Sequence, residues 1–178
     1  MSYRQLFFFI EGPDDERIIR RIIADTPKLR SRWDYIECVL YAQRTKTFVD
    51  SLVKSIKSTS SADYVFLTDQ DLSPCITQKK EKVCKTLQEV TDRKVLVVAK
   101  EIEAWYLAGA SKKFLQKNRV SILIDRSHLT KEQFDAMIPK RYDSRANWMI
   151  EMLKEFSAED ARRISPSFAY FMNKVLAT

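Results

Sequence analysis

LFFFIEGPDD, residues 6–15, and YVFLTDQD, residues 64–71, decide the fold of this chain. Each stretch begins with a short, continuous apolar run and ends in acidic residues. Such runs, bounded by turn residues, are typical of buried strands in a parallel sheet. In open α/β sheets, ligands bind beyond the carboxyl ends of the strands. Two strands that both bring carboxylates to that edge predict a divalent-metal site, and Mg²⁺ is the expected ion because it prefers oxygen ligands.

The rest of the first 110 residues alternates strand and helix patterns. Further strands are predicted at Tyr35–Leu40 and Val95–Val98, which makes four in all. Strands that alternate with helices favour βαβ units and a parallel sheet. The predicted fold class is therefore α/β, with a Rossmann-like parallel four-stranded sheet between helices.

Helices are predicted after each of the first three strands. Pro13 suits the first turn of helix 1, and a helix from about Thr47 would have Asp50 in a capping box. The third helix is expected from about Pro74 to Val90, and another begins just past the fourth strand. Glycine is scarce in this chain, so Gly12 predicts a tight turn that tolerates little bulk.

Beyond Ser111 the sequence has mostly helical patterns. We expect an α/β domain in residues 1–110 and a helical, basic extension in residues 111–178 packed on it. The segment Val120–Ile124 fits either a short strand or a buried loop. Helices are predicted at roughly 111–117, 130–138, 144–156 and 166–176.

Positive charge is concentrated in the extension. The net charge is +7, with 18 Lys and Arg against 16 acids in residues 1–110 but 13 against 8 in residues 111–178. A basic surface near a carboxylate cluster favours a polyanionic substrate such as DNA or RNA. Solubility alone is the other interpretation, and Trp148 and nearby apolar residues recur at the spacing of a helix core. The expected phosphate contacts are Lys100, Lys112, Lys113, Arg119, Arg141 and Arg145.

The composition excludes several kinds of site. The single histidine, His128, rules out a His-rich zinc site and most His-based triads. The three cysteines form no C-x-x-C pair and are expected to be reduced. No apolar run is long enough to span a bilayer, and the N-terminal run is too short for a signal peptide. The expected location is the cytoplasm, without membrane association.

The acidic residues have a spacing that suits metal binding. Asp69 and Asp71 are two apart, so both side chains can reach one ion in an extended turn. Glu11, from a neighbouring strand, would complete an open cluster. Such a site activates water or stabilises a leaving oxygen in phosphoryl transfer. The alternative is that these acids only cap helices, a role that Asp14 and Asp15 are expected to fill in part.

The two acidic motifs resemble those of the TOPRIM domain, a fold shared by topoisomerases, DnaG-type primases, small maturation nucleases and OLD-family nucleases. The resemblance covers about residues 5–108 and includes the order of the elements. It implies that Glu11 acts as general acid/base or metal ligand and that Asp69 and Asp71 hold Mg²⁺ or Mn²⁺. It also implies that strands 1 and 3 are neighbours in the sheet.

The form Glu-Gly-x-x-Asp is most similar to OLD-type and stand-alone TOPRIM proteins. This resemblance implies that Asp15 is the second acid of the first motif and a further metal ligand, although Asp14 beside it leaves a one-residue ambiguity. Glu103 and Trp105 resemble an E-x-W element after strand 4, which would add Glu103 to the catalytic acids. The alternative is a helix-start acid beside a core tryptophan.

The resemblance implies a Mg²⁺-dependent nuclease. Two other functions stay open at this point: a non-catalytic nucleic-acid-binding subunit of a larger assembly, and a nucleotidyl- or phosphotransferase acting on a small nucleotide. The chain has no room for the tyrosine-bearing domain of a topoisomerase, no zinc module and no G-x-x-x-x-G-K-[ST] loop. Any ATPase would have to be a separate partner.

Overall fold

A four-stranded parallel sheet forms the centre of the protein in the computed structural model, which describes residues 3–121 and 125–177. The strand order is β2-β1-β3-β4, and every pair is parallel. The predicted α/β class and parallel sheet are therefore confirmed, and strands 1 and 3 are neighbours as expected. The strands are β1 (Gln5–Ile10), β2 (Tyr35–Leu40), β3 (Ala62–Asp69) and β4 (Val95–Val98).

Helices follow each strand and make up the C-terminal part of the described chain. The segment Val120–Ile124, predicted as either a short strand or a buried loop, falls partly outside the described residues. No helix of the described part is both long and apolar enough to cross a membrane. The helices are α1 (Pro13–Asp25), α2 (Pro27–Arg32), α3 (Lys46–Lys57), α4 (Ile76–Thr86), α5 (Glu103–Gly109), α6 (Lys112–Lys117), α7 (Lys131–Ala136), α8 (Arg145–Lys154), α9 (Ala158–Ile164) and α10 (Pro166–Ala177), with 3₁₀ turns at Tyr41–Gln43 and Asp92–Lys94.

Two helix boundaries differ from the prediction. The N-cap of α3 is Thr45, whose hydroxyl accepts a hydrogen bond from the Phe48 amide at 3.2 Å. The predicted capping box with Asp50 is wrong, because that carboxylate accepts from the backbone N–H of Glu89 at 3.0 Å. Helix α4 is also shorter than predicted, beginning at Ile76 and ending at Thr86.

The sheet separates two apolar cores. Alternate residues of β1 point to opposite sides, so Phe8 belongs to one core and Phe9 to the other. Helices α3 and α4 cover the Phe9 side. On the Phe8 side, α1, α5 and the C-terminal helices share one core, in which the rings of Phe8 and Phe171 lie 6.2 Å apart. Trp148 is fully buried there, which confirms its predicted place in a helix core.

The strand register brings two acidic turns to the same edge. Phe9 of β1 pairs with Phe66 of β3, so the chain leaves both strands at nearly the same level. Asp69, the last residue of β3, pairs with Val98 of β4. Glu11 follows β1 directly, and this edge is the carboxyl edge of the sheet.

The two glycines differ in how much bulk their surroundings admit. Gly12 has an extended backbone, and a β-carbon there would meet only Asp15 Oδ2, at 3.8 Å. The predicted intolerance of bulk at Gly12 is therefore wrong. At Gly109 a β-carbon would overlap the ring of Phe156, because α5 packs tightly against the α8–α9 turn. Ser157 strengthens this approach by donating its backbone N–H to the Gly109 carbonyl at 2.8 Å.

We predict that Gly109→Ala lowers the free energy of unfolding by about 1–3 kcal/mol, because the core must shift to admit the methyl group. Urea unfolding followed by circular dichroism measures the change. Gly12→Ala is the matched control, and its cost should stay below about 1 kcal/mol because only the N-cap preference is affected. Equal losses in the two variants would contradict this account of the packing.

Candidate metal centre

Three of the predicted carboxylates meet at the carboxyl edge of the sheet. Glu11, Asp69 and Asp71 each offer one oxygen, and these oxygens lie within 4.8 Å of one another. Glu11 comes from the turn after β1, while Asp69 ends β3 and Asp71 lies two residues beyond. Because neighbouring parallel strands end side by side, the sequence position of each acid fixes its place in this cluster.

The backbone around Asp71 is held in an uncommon conformation. Asp71 has a φ of 49°, and Lys100 opposite it has a φ of 62°, both in the left-handed region. The Asp71 amide donates to the Lys100 carbonyl at 3.2 Å, and the Gln70 amide donates to the Val98 carbonyl at 3.0 Å. Left-handed backbone is unfavourable for non-glycine residues and concentrates at functional sites. These two bonds extend the pairing of β3 and β4 and direct Asp71 to the cluster.

Glu11 is oriented by three donors to one oxygen. Its Oε1 accepts from Thr68 Oγ1 at 2.6 Å, from the Tyr41 hydroxyl at 2.9 Å and from the Asp69 amide at 3.2 Å. Burial and the Glu11 charge raise the pKa of Tyr41, which keeps its phenol protonated as a donor. Tyr41 and Thr68 were not predicted. Thr68 precedes the D-x-D motif directly, which is the only signal that the sequence offers for either residue.

Asp15 is buried beside the cluster rather than within it. Its Oδ2 accepts from the Gly12 amide at 3.0 Å and so caps helix α1, as the alternative interpretation expected. Burial, followed by the nearby Glu11 charge, raises the pKa of Asp15 to about 7. Its Oδ1 is buried without a hydrogen-bond partner. Asp14, the other candidate in this motif, forms ion pairs with arginines instead.

Asp69 has the most strongly perturbed environment of the cluster. Burial first, and then the charges of Asp15, Glu11 and Glu103, raise its pKa well above its ordinary value. Its Oδ1 has no hydrogen-bond partner among the described residues. A buried carboxylate that is surrounded by other carboxylates is costly unless a cation lies nearby.

Glu103 lies at the start of α5 and is 4% exposed. One of its oxygens accepts a charge-assisted hydrogen bond from Arg145 of α8, while the other, Oε2, is buried and unpartnered. Its charge contributes to the raised pKa values of Asp15 and Asp69. The predicted acid is therefore part of the electrostatic surroundings of the cluster, although its oxygens are not among the three that lie within 4.8 Å.

Two cations offset this negative charge. Lys79 of α4 is 8% exposed, and its ammonium group lies 2.5 Å from Asp71 Oδ2 and 4.0 Å from Glu11 Oε1. Arg145 contacts Asp14 at 3.4 Å in addition to its bond with Glu103. Lys79 was not predicted, because a lysine in a polar helix gives no sign of burial. Its position depends on how α4 packs against the sheet.

The donor set fits a hard divalent cation. Every candidate ligand atom is a carboxylate oxygen, which is the type that Mg²⁺ and Mn²⁺ prefer. Three buried carboxylate oxygens lack a partner among the described residues, namely Asp15 Oδ1, Asp69 Oδ1 and Glu103 Oε2. Asp69 and Asp71 would hold such an ion, with a Glu11 oxygen within 4.8 Å of theirs, and the buried Asp15 would add negative charge beside them.

The six predicted phosphate contacts have different surroundings. Arg145 is committed to carboxylates, and Lys100 takes part through its carbonyl in the turn that holds Asp71. Arg141 donates to Asn118 Oδ1 at 2.9 Å. The remaining three are exposed on or just after α6: Lys112, Lys113 and Arg119.

A second basic surface lies directly beside the cluster. An open cavity of about 760 Å³ is lined by Asp71 and by residues of α4 that include Gln78, Glu81, Lys82 and Lys85. Both lysines are exposed. This surface was not predicted from the sequence, because its closeness to Asp71 comes from the packing of α4.

Comparison with models of known protein families, with curated proteins and with solved structures found no match. We therefore infer the function from the geometry of this site.

We predict that the metal-free protein loses stability as the pH rises, in a way that depends on Asp15. Its raised folded pKa, about 7 against an ordinary 3.8, means that the native state holds the proton more tightly than the unfolded state. The stabilisation is complete below about pH 4 and is lost as the pH passes 7. Between pH 5 and pH 8 it should fall by about 2–3 kcal/mol.

Urea unfolding in EDTA across this pH range measures the effect. Asp15→Asn should reduce the dependence of stability on pH and leave the part that comes from Asp69, whose pKa is also raised. Asp14→Asn, which replaces a carboxylate paired with arginines, should keep the wild-type dependence. Identical slopes in the wild type and Asp15→Asn would show that Asp15 does not bind the proton.

Proposed function

We propose that this protein is a Mg²⁺-dependent phosphodiester hydrolase of the TOPRIM type that acts on DNA or RNA. The observation that carries the proposal is the convergence of Glu11, Asp69 and Asp71 at the carboxyl edge of a parallel sheet, with their oxygens within 4.8 Å. The buried Asp69 Oδ1 provides further support, since it has no hydrogen-bond partner among the described residues and a divalent ion would satisfy it. Adjacent β1 and β3 agree with the order that the TOPRIM resemblance implies.

Each residue of the cluster has a distinct role in this proposal. Asp69 and Asp71 hold the ion, which when bound would polarise the phosphate and lower the pKa of a bound water. Glu11 accepts the proton of the attacking water. Tyr41 and Thr68 fix the orientation of Glu11 through its Oε1, so the carboxylate does not have to reorganise during the reaction.

Lys79 supplies positive charge at the reacting phosphate. Its ammonium group contacts both Asp71 and Glu11, so it would stand beside a phosphate that binds to the ion. When Asp71 binds an ion, the ammonium group is free to donate to a phosphate oxygen instead. Charge-assisted hydrogen bonds of this kind stabilise the charge that develops in phosphoryl transfer.

The exposed lysines of α4 extend the contact with the substrate. Lys82 and Lys85 line the charged cavity together with Asp71, so they stand next to the metal position. Lysines in such a groove neutralise successive phosphates of a strand. Asp71 of the cluster is itself part of this surface. The phosphate contacts predicted from the sequence, Lys112 and Lys113, lie on α6 instead.

One observation favours a second function. Lys79 and Arg145 already neutralise carboxylates of the site, so the fold does not need a metal to offset every charge. The same basic surface would then serve a non-catalytic nucleic-acid-binding subunit, with an ATPase as a separate partner. A requirement for metal distinguishes the two functions.

We predict that the protein cleaves end-labelled nucleic acid in Mg²⁺ or Mn²⁺ and that EDTA abolishes the cleavage. Glu11→Gln should lower the rate at least about 100-fold, because general-base catalysis contributes about 10²–10⁴-fold. Asp69→Asn combined with Asp71→Asn should remove activity by removing the metal ligands. The assay compares single- and double-stranded DNA and RNA on denaturing gels.

Glu159→Gln is the matched control, because Glu159 is an exposed glutamate on α9. It should retain wild-type cleavage, and all variants should show wild-type circular dichroism. Cleavage by folded Glu11→Gln at the wild-type rate would refute the assignment. Salt-sensitive binding with no cleavage in any metal would favour the binding subunit.

We predict that Lys82→Gln combined with Lys85→Gln weakens nucleic-acid binding and reduces its dependence on salt. Each lost phosphate contact should lower the slope of log K against log salt by about 0.7 for a single strand or 0.9 for a duplex. Fluorescence anisotropy from 50 to 300 mM salt measures the slope. Lys112→Gln with Lys113→Gln removes the same charge from α6, so a larger loss in this pair would place the strand on the C-terminal helices instead.

A further inference from the structure

We infer that a second cavity, next to the carboxylate cluster, binds an unpaired nucleobase and uses Tyr170 as its stacking surface. This inference rests on the proposed function and adds to it that the substrate is single-stranded at the cleavage site. The cavity measures about 520 Å³, which is ample for a base with its sugar. Its walls come from α4, from the residues at the end of β4, from α10 and from the segment that contains His128.

The lining of the cavity has the character of a ligand site. Most of the lining is apolar, with Ile76, Val97 and Pro166 among its residues. Besides Tyr170, the polar and charged groups of the lining are Thr77, Lys80, Asp92, His128 and Ser167. The Asp92 carboxylate lies 3.7 Å from the Lys80 ammonium group, which offsets its charge. Small-molecule sites are typically of this size and combine an apolar wall with a few polar groups that set orientation.

Three segments connect this cavity to the metal position. Lys80 lines the cavity, and its neighbour Lys79 contacts Asp71. Ala99 lines it as well, and the next residue, Lys100, accepts the Asp71 amide through its carbonyl. Two residues that contact Asp71, Lys79 and Lys100, are thus each followed or preceded in the chain by a residue of the cavity wall. Consecutive α-carbons are about 3.8 Å apart, so the cavity wall starts close to these contacts.

The third connection runs through α5. This helix begins with Glu103, and the indole N–H of Trp105, two residues on, donates to Ser167 Oγ at 2.9 Å. Ser167 is part of the cavity wall. The helix that carries a buried acid of the site therefore also fixes a polar group of the cavity.

Tyr170 is exposed although it lies in a helix with a strong apolar stripe. Phe168, Phe171 and Met172 of α10 are buried in the core, whereas the Tyr170 side chain lies off this stripe and is 47% exposed in the cavity wall. Packing of the core does not account for an aromatic ring at this place. The ammonium group of Lys174 lies over the ring, 5.4 Å from its centroid, so a base would stack on the other face.

A nucleobase matches this combination of features. Its flat face stacks on a tyrosine ring, and its polar edge can bond to Thr77 or Ser167. A base inside a duplex is stacked and paired, so it can enter a side cavity only after it leaves the helix. A strand whose phosphate lies at Asp71 and whose base lies against Tyr170 must therefore be unpaired at that point.

Binding of a single-stranded oligonucleotide that contains 2-aminopurine tests the inference. The experiment is done in EDTA, so it needs neither metal nor cleavage. We expect the fluorescence to be quenched on binding, and Tyr170→Ala to weaken binding about tenfold or more, as loss of one stacked base does. Tyr170→Phe should bind like the wild type, because the stacking ring is kept.

Tyr3→Ala is the matched control, since Tyr3 is an exposed tyrosine near the amino end of β1, at the opposite edge of the sheet. It should bind normally. An oligonucleotide with abasic sugars should bind the wild type as weakly as the intact strand binds Tyr170→Ala. Equal affinity of the wild type for intact and abasic strands, or normal binding by Tyr170→Ala, would overturn the inference.

The two proposals fail in different ways. If Tyr170→Ala binds the oligonucleotide normally while the wild type shows metal-dependent cleavage, the base site is overturned and the proposed nuclease stands. If Tyr170→Ala weakens binding in EDTA but the wild type cleaves in no metal, the proposed nuclease is refuted and the base site stands. The inference would also be overturned if the wild type binds a duplex more tightly than a single strand and Tyr170→Ala weakens binding of the duplex.

Discussion

Repulsion among carboxylates at one edge of the sheet is the constraint on which the rest of this structure depends. Glu11, Asp69 and Asp71 share a space less than 5 Å across, and Asp15 lies buried beside them. Like charges at such distances destabilise one another most strongly where water is excluded. The fold offsets this cost with Lys79 from α4 and with Arg145 from α8, so the C-terminal helices contribute directly to the electrostatics of the site.

The strands and the acidic residues at their ends could be predicted from the sequence because both are local features. An apolar run such as that of β3 must be buried on both faces, and an acid at its end must then lie at the edge of the sheet. Tyr41, Lys79 and the ion pairs of Arg145 could not be predicted in this way. Their positions follow from packing between elements that are distant in the chain, and nothing in their own neighbourhood marks them.

Short and tightly packed elements were also hidden from the sequence. Helices α2 and α9 were not predicted. Each buries a single residue, Leu29 or Ala161, so neither has the apolar repeat that indicates a helix. The prediction for Gly12 was wrong for a related reason, since close packing between distant elements is not visible in the sequence. A turn between a strand and a helix suggested that Gly12 needs its small size, but the close approach is at Gly109, where α5 meets Phe156.

Helix α4 is the element that joins the separate parts of the proposed site. It directs Lys79 to the carboxylates, Lys80 to the apolar cavity, and Lys82 with Lys85 to the charged cavity. Base and phosphates of one strand would thus meet chemically different surfaces on either side of the metal position. A base of a rigid duplex is paired and cannot enter the apolar cavity beside α4. A flexible single strand can place a base in that cavity while its backbone continues along Lys82 and Lys85. The division of surfaces around α4 is therefore the structural argument for an unpaired substrate.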